Sequence, residues 1–229
     1  MTMEASILDA TQFRSEVPHR DADRAAHFAA LGFGVVPMPT NKKMPVYKRG
    51  PDLAMTSAEE VEIYWRSITP FGRQNIALPL DGWTVVDVAP KSGGTDSLAK
   101  LMAAYDLPPT RTHHTASGAD SLHFIYRADP NRPLKSTPLN PGEYPGIDIK
   151  TGRGSLIVAP GSVIGGKRYE VVSEREAVVA PPWLSEIQQG TGHPAASSGR
   201  SRTPSRAPAG HPGGTSLAAL RALPPDSES

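Results

Sequence analysis

The sequence predicts a mixed α/β fold of the α+β kind, in which an N-terminal α/β subdomain is packed on a β-rich subdomain. The chain has 229 residues, of which 38% are hydrophobic, enough to bury a sizeable core. Helical and strand-like patterns alternate in the first half of residues 20–188, whereas the second half consists mostly of short apolar strands. This change of pattern predicts two subdomains with the functional groups at their seam.

Capping signals mark the predicted helices, and β-branched apolar runs mark the strands. Gly32 ends the first helix, and a Ser-x-x-Glu capping box, Ser57 to Glu60, opens the second. Thr95 or Asp96 caps the third. The predicted helices cover residues 21–31, the segment after Ser57, 95–105 and 182–188. The predicted strands cover residues 33–38, 75–78, 83–87, 112–115, 122–126, 146–150, 155–159 and 168–172.

Composition also predicts which parts of the chain lie outside this body. Residues 1–19 are predicted to form a flexible N-terminus. They lack the apolar core that secretion signals carry. Residues 190–229 contain seven Ser, six Gly and six Pro. A segment of this composition cannot bury enough apolar surface to fold, so residues 189–229 are predicted to be a disordered linker. Leu217–Leu223 alone has helical spacing there, which indicates the start of a following module.

Several classes of function are excluded by composition. The chain contains no cysteine, which excludes disulfides, zinc–thiolate sites and thiol nucleophiles. Its formal net charge is +1, so any nucleic-acid-binding surface must be a local basic patch. No apolar stretch approaches the ~20 residues needed to span a bilayer. We therefore expect a soluble, cytoplasmic protein without a membrane partner.

Three apolar strands carry polar residues that could form a site. Asp87 ends one strand and is followed by a Pro-Lys-Ser-Gly-Gly turn, His123 lies on a second strand, and Asp148 lies on a third. Asp, His and Asp could converge on a divalent metal and a triphosphate. Residues 87 and 89 share a strand face, so a two-metal site would have another carboxylate at position 89. The residue there is Ala89.

Each of these residues also has a purely structural interpretation. Asp87 could be a turn carboxylate that accepts hydrogen bonds from the N–H groups of Gly93 and Gly94. A single histidine on an apolar strand, such as His123, is more often a core residue than a ligand. Asp148 and Lys150 lie two residues apart and could form an ion pair on an exposed strand face.

Ser121 and several basic residues form a second set of candidates. Ser121 and Lys150 could contact a phosphate, and a hairpin turn predicted over Thr151–Gly154 would carry Arg153 to the same anion. Upstream, a local positive cluster is predicted to bind the phosphates of nucleic acid, although solvated loop lysines are the simpler interpretation. The cluster consists of Lys42, Lys43, Lys48 and Arg49.

Taken in order, these motifs resemble those of a known family. Val85–Ala89, Ser121–His123 and Ile147–Asp148 match, with their flanking residues, the three motifs of the bifunctional primase–polymerase domain of the archaeo-eukaryotic primase superfamily. This N-terminal domain is common in phage and plasmid replication proteins. The resemblance covers residues 25–183 and implies an α/β subdomain packed on an RRM-like one. Members often carry a helicase module after a linker.

The resemblance assigns a role to each matching position. Asp87, position 89 and Asp148 would hold Mg²⁺ or Mn²⁺ in a two-metal catalytic site. His123 would contact the triphosphate of a dNTP or NTP, with Ser121 beside it. Lys43 would contact the phosphates or a single-stranded DNA template. The expected function is template-directed primer synthesis and extension in a bacterial host cell.

Ala89 departs from the family pattern in a chain whose flanking residues all match. It indicates either a deliberate Asp→Ala inactivation or a naturally degenerate member. The leading hypothesis is a primase–polymerase domain crippled at position 89. The alternative is a non-catalytic nucleic-acid-binding module of a replication protein. An unrelated metal-dependent phosphohydrolase is disfavoured because no clustered histidine ligands are present.

Overall fold

A computed structural model describes residues 21–43, 45, 50–68, 74–118 and 120–191. The predicted flexible N-terminus, and the predicted linker beyond Thr191, lie outside the described residues. The helices are α1 (Asp21–Ala30), α2 (Ala58–Ile68), α3 (Gly94–Ala104) and α4 (Trp183–Gln188). The strands are β1 (Val36–Pro39), β2 (Gln74–Val88), β3 (Arg111–His114), β4 (Leu122–Arg127), β5 (Thr137–Pro138), β6 (Ile147–Val158), β7 (Val163–Ile164), β8 (Lys167–Arg168) and β9 (Glu170–Ser173).

The helix signals are confirmed at α1 and α2 but not at α3. Gly32 follows α1 with a φ of 86°, and the Glu60 N–H donates to Ser57 Oγ at 3.4 Å, as the capping box predicts. The predicted cap of α3 by Thr95 or Asp96 is wrong. The helix begins at Gly94, and its N-cap is Gly93, whose φ of 87° is left-handed and which supplies no side-chain cap.

Two long strands replace four predicted short ones. Residues 75–78 and 83–87 both belong to β2, and residues 146–150 and 155–159 lie on β6 or at its ends. The predicted hairpin turn over Thr151–Gly154 is therefore wrong, and Arg153 lies within a strand. Gly82 and Gly152 have φ values of 76° and 77°. Glycine inside a strand often marks a bulge or bend, so the turn signal was real but did not end the strand.

The described chain divides into two compact units that interleave along the sequence. The first unit comprises the described residues of Met1–Pro79 and Leu156–Tyr169. The second comprises the described residues of Leu80–Ser155 and Glu170–Ser229. The change between units falls within β2 and again within β6, rather than at the midpoint of the sequence.

The first unit pairs helices with the early part of β2. β1 is antiparallel to β2 and places Val36 opposite Ala77. Phe28, Phe33 and Trp65 are among its buried side chains. Arg24 is also buried, and its guanidinium donates to the Gly161 carbonyl at 3.0 Å, which attaches α1 to the segment that follows β6.

The second unit is built on an antiparallel sheet with the strand order β5-β6-β2-β4-β3-β9. Its core joins one face of the sheet to α3 and α4. The buried cluster contains Val86 and Val88 from β2 and Phe124 from β4, together with Leu98 from α3 and Leu184 from α4. The structure thus confirms a mixed α+β fold with a mainly antiparallel sheet. No helix in the described part of the chain is long and apolar enough to cross a membrane.

Candidate active site

A row of polar side chains crosses the second unit's sheet near the end of β2. The β2–β4 register places Asp87 opposite His123, and the β3–β4 register places His113 opposite the same histidine. Directly opposed residues of antiparallel strands project from one face. Because side chains alternate along β2, this is the face opposite to that of the core residues Val86 and Val88.

Asp148 completes the row on the other side of Asp87. β6 flanks β2, and the Ala89 N–H donates to the Gly146 carbonyl at 2.8 Å. Two residues further into each strand, Asp148 lies opposite Asp87. The hydroxyls of Thr84 and Thr151, 3.2 Å apart, follow the same register. The two carboxylates are therefore cross-strand neighbours, which places their Cβ atoms at about 5 Å.

Tightly packed backbone fixes the strand ends that carry these acids. The Ala89 carbonyl accepts hydrogen bonds from the N–H groups of Ser92 at 3.0 Å and Gly94 at 3.1 Å. A Cβ on Gly94 would lie 2.8 Å from the Ala89 nitrogen, and a Cβ on Gly146, whose φ is 74°, would lie 2.5 Å from the Gly94 nitrogen. Only glycine fits at both positions. We call Ala89, Gly94 and Gly146 the glycine junction.

Asp87 is the electrostatic centre of the row. His123 Nε2 lies 3.4 Å from Asp87 Oδ1, and Lys150 Nζ forms an ion pair with Oδ2. Burial raises the pKa of Asp87, but the hydrogen bonds and positive charges of His123 and Lys150 outweigh it and lower the pKa to about 2. Asp87 is therefore ionised at neutral pH.

Two structural interpretations of the sequence are wrong for these acids. Asp87 is not a turn carboxylate that binds the following glycines, because the N–H groups of Gly93 and Gly94 donate to the carbonyls of Pro90 and Ala89. Lys150 pairs with Asp87 across the strands rather than with Asp148 along its own strand. Asp148 is partly exposed, and its carboxylate forms no ion pair within the described residues.

His123 and His113, the histidines of the row, are both buried, and burial has different consequences for the two residues. His123 is 5% exposed, and its Nδ1 atom has no hydrogen-bond partner among the described residues. Burial, followed by the charges of His123 and Arg111, lowers the pKa of His113 well below its ordinary value, so His113 is neutral at neutral pH. Sequence reasoning missed His113. The pair of histidines at 113 and 114 on a predicted strand was the available signal.

Ser121 lies inside the protein rather than on its surface. It is 2% exposed; its hydroxyl accepts a hydrogen bond from Thr115 Oγ1 at 2.8 Å and donates one to the Val88 carbonyl at 3.1 Å. These bonds tie the start of β4 to the end of β2. A direct contact of Ser121 with a nucleotide stays a prediction, whereas a supporting role follows from the structure.

Replacing Ser121 with alanine is expected to lower the free energy of unfolding by about 1–3 kcal/mol, because a buried hydroxyl and a buried carbonyl lose their partner. Ser67→Ala is the matched control, since the Ser67 hydroxyl donates to the Tyr64 carbonyl on an exposed helix face. Urea unfolding of both variants measures the difference. Equal stability of the two variants would contradict the buried network.

The remaining basic candidates belong to both units. Arg153 is exposed on β6. Lys42 and Lys43 are exposed and belong to the first unit. Lys48 and Arg49 lie outside the described residues. Of the four residues of the predicted cluster, the structure therefore describes Lys42 and Lys43.

The residues present do not fit a two-metal centre. No group of three or more His, Asp or Glu side chains in the described ranges is placed to bind one cation. Asp87 is already neutralised by Lys150 and by hydrogen bonding to His123, and position 89 offers only a methyl group. Asp148 alone retains an uncompensated carboxylate. Ala89 has extended backbone angles and lies two residues after Asp87, so its methyl group projects to the face of Asp87.

Neighbouring carboxylates beside a histidine and a lysine are groups typical of phosphoryl-transfer domains, and here they lie on the sheet of an α+β fold. The chain belongs to the bifunctional DNA primase/polymerase N-terminal family, which matches residues 25–183. The resemblance seen in the sequence is thereby confirmed, and with it a function of the DNA primase/polymerase type and, for the family in general, nucleotidyltransferase activity. A comparison with curated proteins found no match.

Proposed function

We propose that this domain is of the kind that carries out template-directed nucleotidyl transfer, in primer synthesis and extension, for a replication protein of a phage or plasmid in the cytoplasm of a bacterial host, and that Ala89 impairs this activity in the present sequence. One observation carries the proposal. The strand register aligns Asp148, Asp87 and His123 in a single row, with position 89 on the same face. These are the positions of the family's three motifs, and they lie far apart in the sequence.

The chemistry of the row supports binding of a dNTP or NTP. His123 has a buried Nδ1 atom without a partner in the described part of the chain, and a phosphate oxygen would satisfy it. Lys150 adds a mobile positive charge that pairs with Asp87 and can turn to a phosphate. Arg153, exposed further along β6, is a second phosphate contact, and single-stranded DNA is the template.

Ala89 impairs catalysis in this proposal. Nucleotidyl transfer of this kind needs Mg²⁺ or Mn²⁺ to stabilise charge on the phosphates, and the acids present do not fit those cations. A carboxylate at position 89 would add the third acid beside Asp87 and Asp148. In the present sequence, His123 and Lys150 compensate the charge of Asp87 instead. The domain therefore keeps the groups that would bind a nucleotide but has an incomplete set of catalytic carboxylates.

A non-catalytic nucleic-acid-binding module is the second candidate. The Lys150–Asp87 ion pair and the methyl group at position 89 favour it, because Lys150 compensates the charge of Asp87 without a cation and position 89 adds no further charge. Nucleotide incorporation by Ala89→Asp separates the two candidates. Template-dependent incorporation supports the enzyme, and inactivity with intact folding and DNA binding supports the module.

The proposal includes two further expectations from the resemblance, an RRM-like subdomain and a helicase module. A four-stranded or larger antiparallel sheet with helices against one face is compatible with an RRM-like subdomain, and the second unit has that layout. A helicase module beyond the predicted linker would place primer synthesis next to strand opening.

Neutralising Lys42 and Lys43 together, as Lys42→Gln with Lys43→Gln, is expected to weaken single-stranded DNA binding. If both lysines contact phosphates, the slope of log affinity against log salt falls by about 1.4. Titrations at several salt concentrations, followed by fluorescence anisotropy, measure it. The control is Lys100→Gln with Lys135→Gln, which removes two exposed lysines elsewhere. The same slope in both double variants would exclude the predicted basic cluster.

A further inference from the structure

The hairpin formed by β7 and β8 carries two exposed basic residues. The strands are antiparallel, with Ile164 opposite Lys167 and a two-residue turn between them. The turn residues Gly165 and Gly166 have φ values of 58° and 75°, the left-handed conformation that tight hairpin turns of this kind need and that glycine adopts without strain. Lys167 and Arg168 follow the turn and are exposed. The turn therefore places two positive charges on the surface of the first unit.

Two asparagines attach this hairpin to the rest of the first unit. Asn75, on β2, is buried; its side-chain amide donates to the Val163 carbonyl at 2.8 Å, and its Oδ1 atom accepts from the Val163 N–H at 2.9 Å. Asn41, in the loop after β1, binds the turn itself, because its Oδ1 atom accepts from the Gly165 N–H at 3.0 Å. The hairpin is thus bonded both to β2 and to the loop after β1.

The bond from Asn41 brings a second pair of basic residues to the hairpin. Lys42 and Lys43 follow Asn41 directly and are exposed. Asn41 has a φ of 61°, a left-handed conformation that asparagine tolerates better than most residues, and it lies 124 positions from its partner Gly165 in the sequence. All the basic residues on these two segments belong to the first unit. We call Lys42, Lys43, Lys167 and Arg168 the basic surface.

The sequence on both sides of this contact lacks acidic residues. Residues 24–51 and residues 149–169 contain no Asp or Glu, although the chain has 23 acidic residues among 229. Exposed bases elsewhere have acids beside them, as Arg132 has Glu186 at 3.1 Å. Because the formal net charge of the whole chain is only +1, two segments without acids that meet in the fold concentrate positive charge locally.

An exposed surface of this composition fits an extended polyanion. Several cations on neighbouring segments can contact successive phosphates of a polynucleotide, and the release of counterions then drives binding. Lysine and arginine side chains both form charge-assisted hydrogen bonds with phosphate. A Cβ on Gly165 or Gly166 would meet nothing within 4 Å, so a polynucleotide could approach the backbone of the turn closely.

We propose that the basic surface binds backbone phosphates of the single-stranded template, and that Lys167 and Arg168 supply half of its contacts. The inference rests on the proposed function, because the strand that it assigns is the template of the proposed reaction. The ligand class is the phosphodiester of a polynucleotide, whereas the nucleoside triphosphate is bound by the residues of the row.

The test measures single-stranded DNA binding by the unaltered chain and its variants, followed by fluorescence anisotropy at several salt concentrations. Lys167→Gln with Arg168→Gln, the hairpin variant, is expected to lower the slope of log affinity against log salt by about 1.4, the contribution of two phosphate contacts. Near 0.1 M salt this corresponds to binding about twentyfold weaker. Adding Lys42→Gln and Lys43→Gln is expected to lower the slope by about 2.8, because one strand contacts all four residues.

Two control variants separate charge from a structural role. Lys167→Arg with Arg168→Lys exchanges the two residues and keeps the charge, so the salt slope is expected to stay the same. Arg132→Gln with Lys135→Gln removes one exposed arginine and one exposed lysine of the second unit and is expected to leave affinity and slope unchanged. Nucleoside triphosphate binding is expected to be the same in the hairpin variant as in the unaltered chain.

The outcomes distinguish this inference from the proposed function. An unchanged slope in the hairpin variant, alongside a lowered slope in the Lys42 and Lys43 variant, would overturn the inference and leave the proposed function standing. A fall of only about 1.4 in the combined variant would overturn it too, because hairpin and loop would then not contact the same strand. Failure of the unaltered chain to bind DNA would overturn both. If the hairpin variant does not fold, Lys167→Gln alone replaces it, and a slope that does not fall by about 0.7 would overturn the inference.

Discussion

Ala89→Asp is expected to raise template-dependent nucleotide incorporation at least about a thousandfold, equivalent to roughly 4 kcal/mol in the activation barrier. The change adds one negative charge beside Asp87 and Asp148, where two carboxylates now lie on adjacent strands. Ala89 has extended backbone angles, φ −107° and ψ 95°, which aspartate adopts without strain. Primer extension and primer synthesis with Mg²⁺ or Mn²⁺ measure the gain.

Two controls isolate the carboxylate at position 89. Ala89→Asn has nearly the same shape without the charge and is expected to remain inactive. Asp148→Ala in the Ala89→Asp background removes the neighbouring acid and is expected to abolish the gain. Single-stranded DNA binding is expected to survive in all three proteins. If Ala89→Asp folds and binds DNA yet incorporates no nucleotide, the polymerase function fails and the binding module takes its place.

Gly146→Ala is expected to destabilise the protein by about 3 kcal/mol or more. The added Cβ would lie 2.5 Å from the Gly94 nitrogen and 2.8 Å from the carbonyl oxygens of Ala89 and Ser92, at a φ of 74° that alanine rarely adopts. Backbone atoms cannot move aside as flexible side chains do. The junction that aligns Asp87 with Asp148 would have to open.

Gly154→Ala is the matched control for this effect, since Gly154 lies within β6, the strand that Gly146 immediately precedes, and a Cβ there would meet nothing within 4 Å. Its stability is expected to change by less than about 1 kcal/mol. Urea unfolding compares the two variants with the unaltered chain. Equal midpoints for Gly146→Ala and Gly154→Ala would show that the junction is not needed for folding.

The sequence identified the acids and the histidine of the row but not how they are held. Asp87, His123 and Asp148 were recognisable because each interrupts an apolar strand and because the motifs follow one another in the family order. Their alignment depends on pairing between strands more than 20 residues apart, which local patterns do not encode. His113 was missed because only the register of the neighbouring strands β3 and β4 brings it to His123.

The wrong predictions share a physical cause. Thr151–Gly154 was interpreted as a hairpin turn because glycine is the usual residue at positive φ, yet here Gly152 bends a strand that continues. Lys150 was assigned to Asp148 by proximity in sequence, but its long side chain reaches the neighbouring strand. In each case tertiary pairing decided between two local arrangements that the sequence permits equally.

In the glycine junction, the backbone and the side chain of residue 89 have different roles. The N–H and C=O of Ala89 form hydrogen bonds with the backbone of Gly146, Ser92 and Gly94. Its side chain is partly exposed and takes no part in these bonds. A change of side chain there leaves the scaffold's own bonds intact. Alanine and aspartate codons can differ by one nucleotide, so a single mutation exchanges the two residues at position 89 while these backbone bonds stay in place.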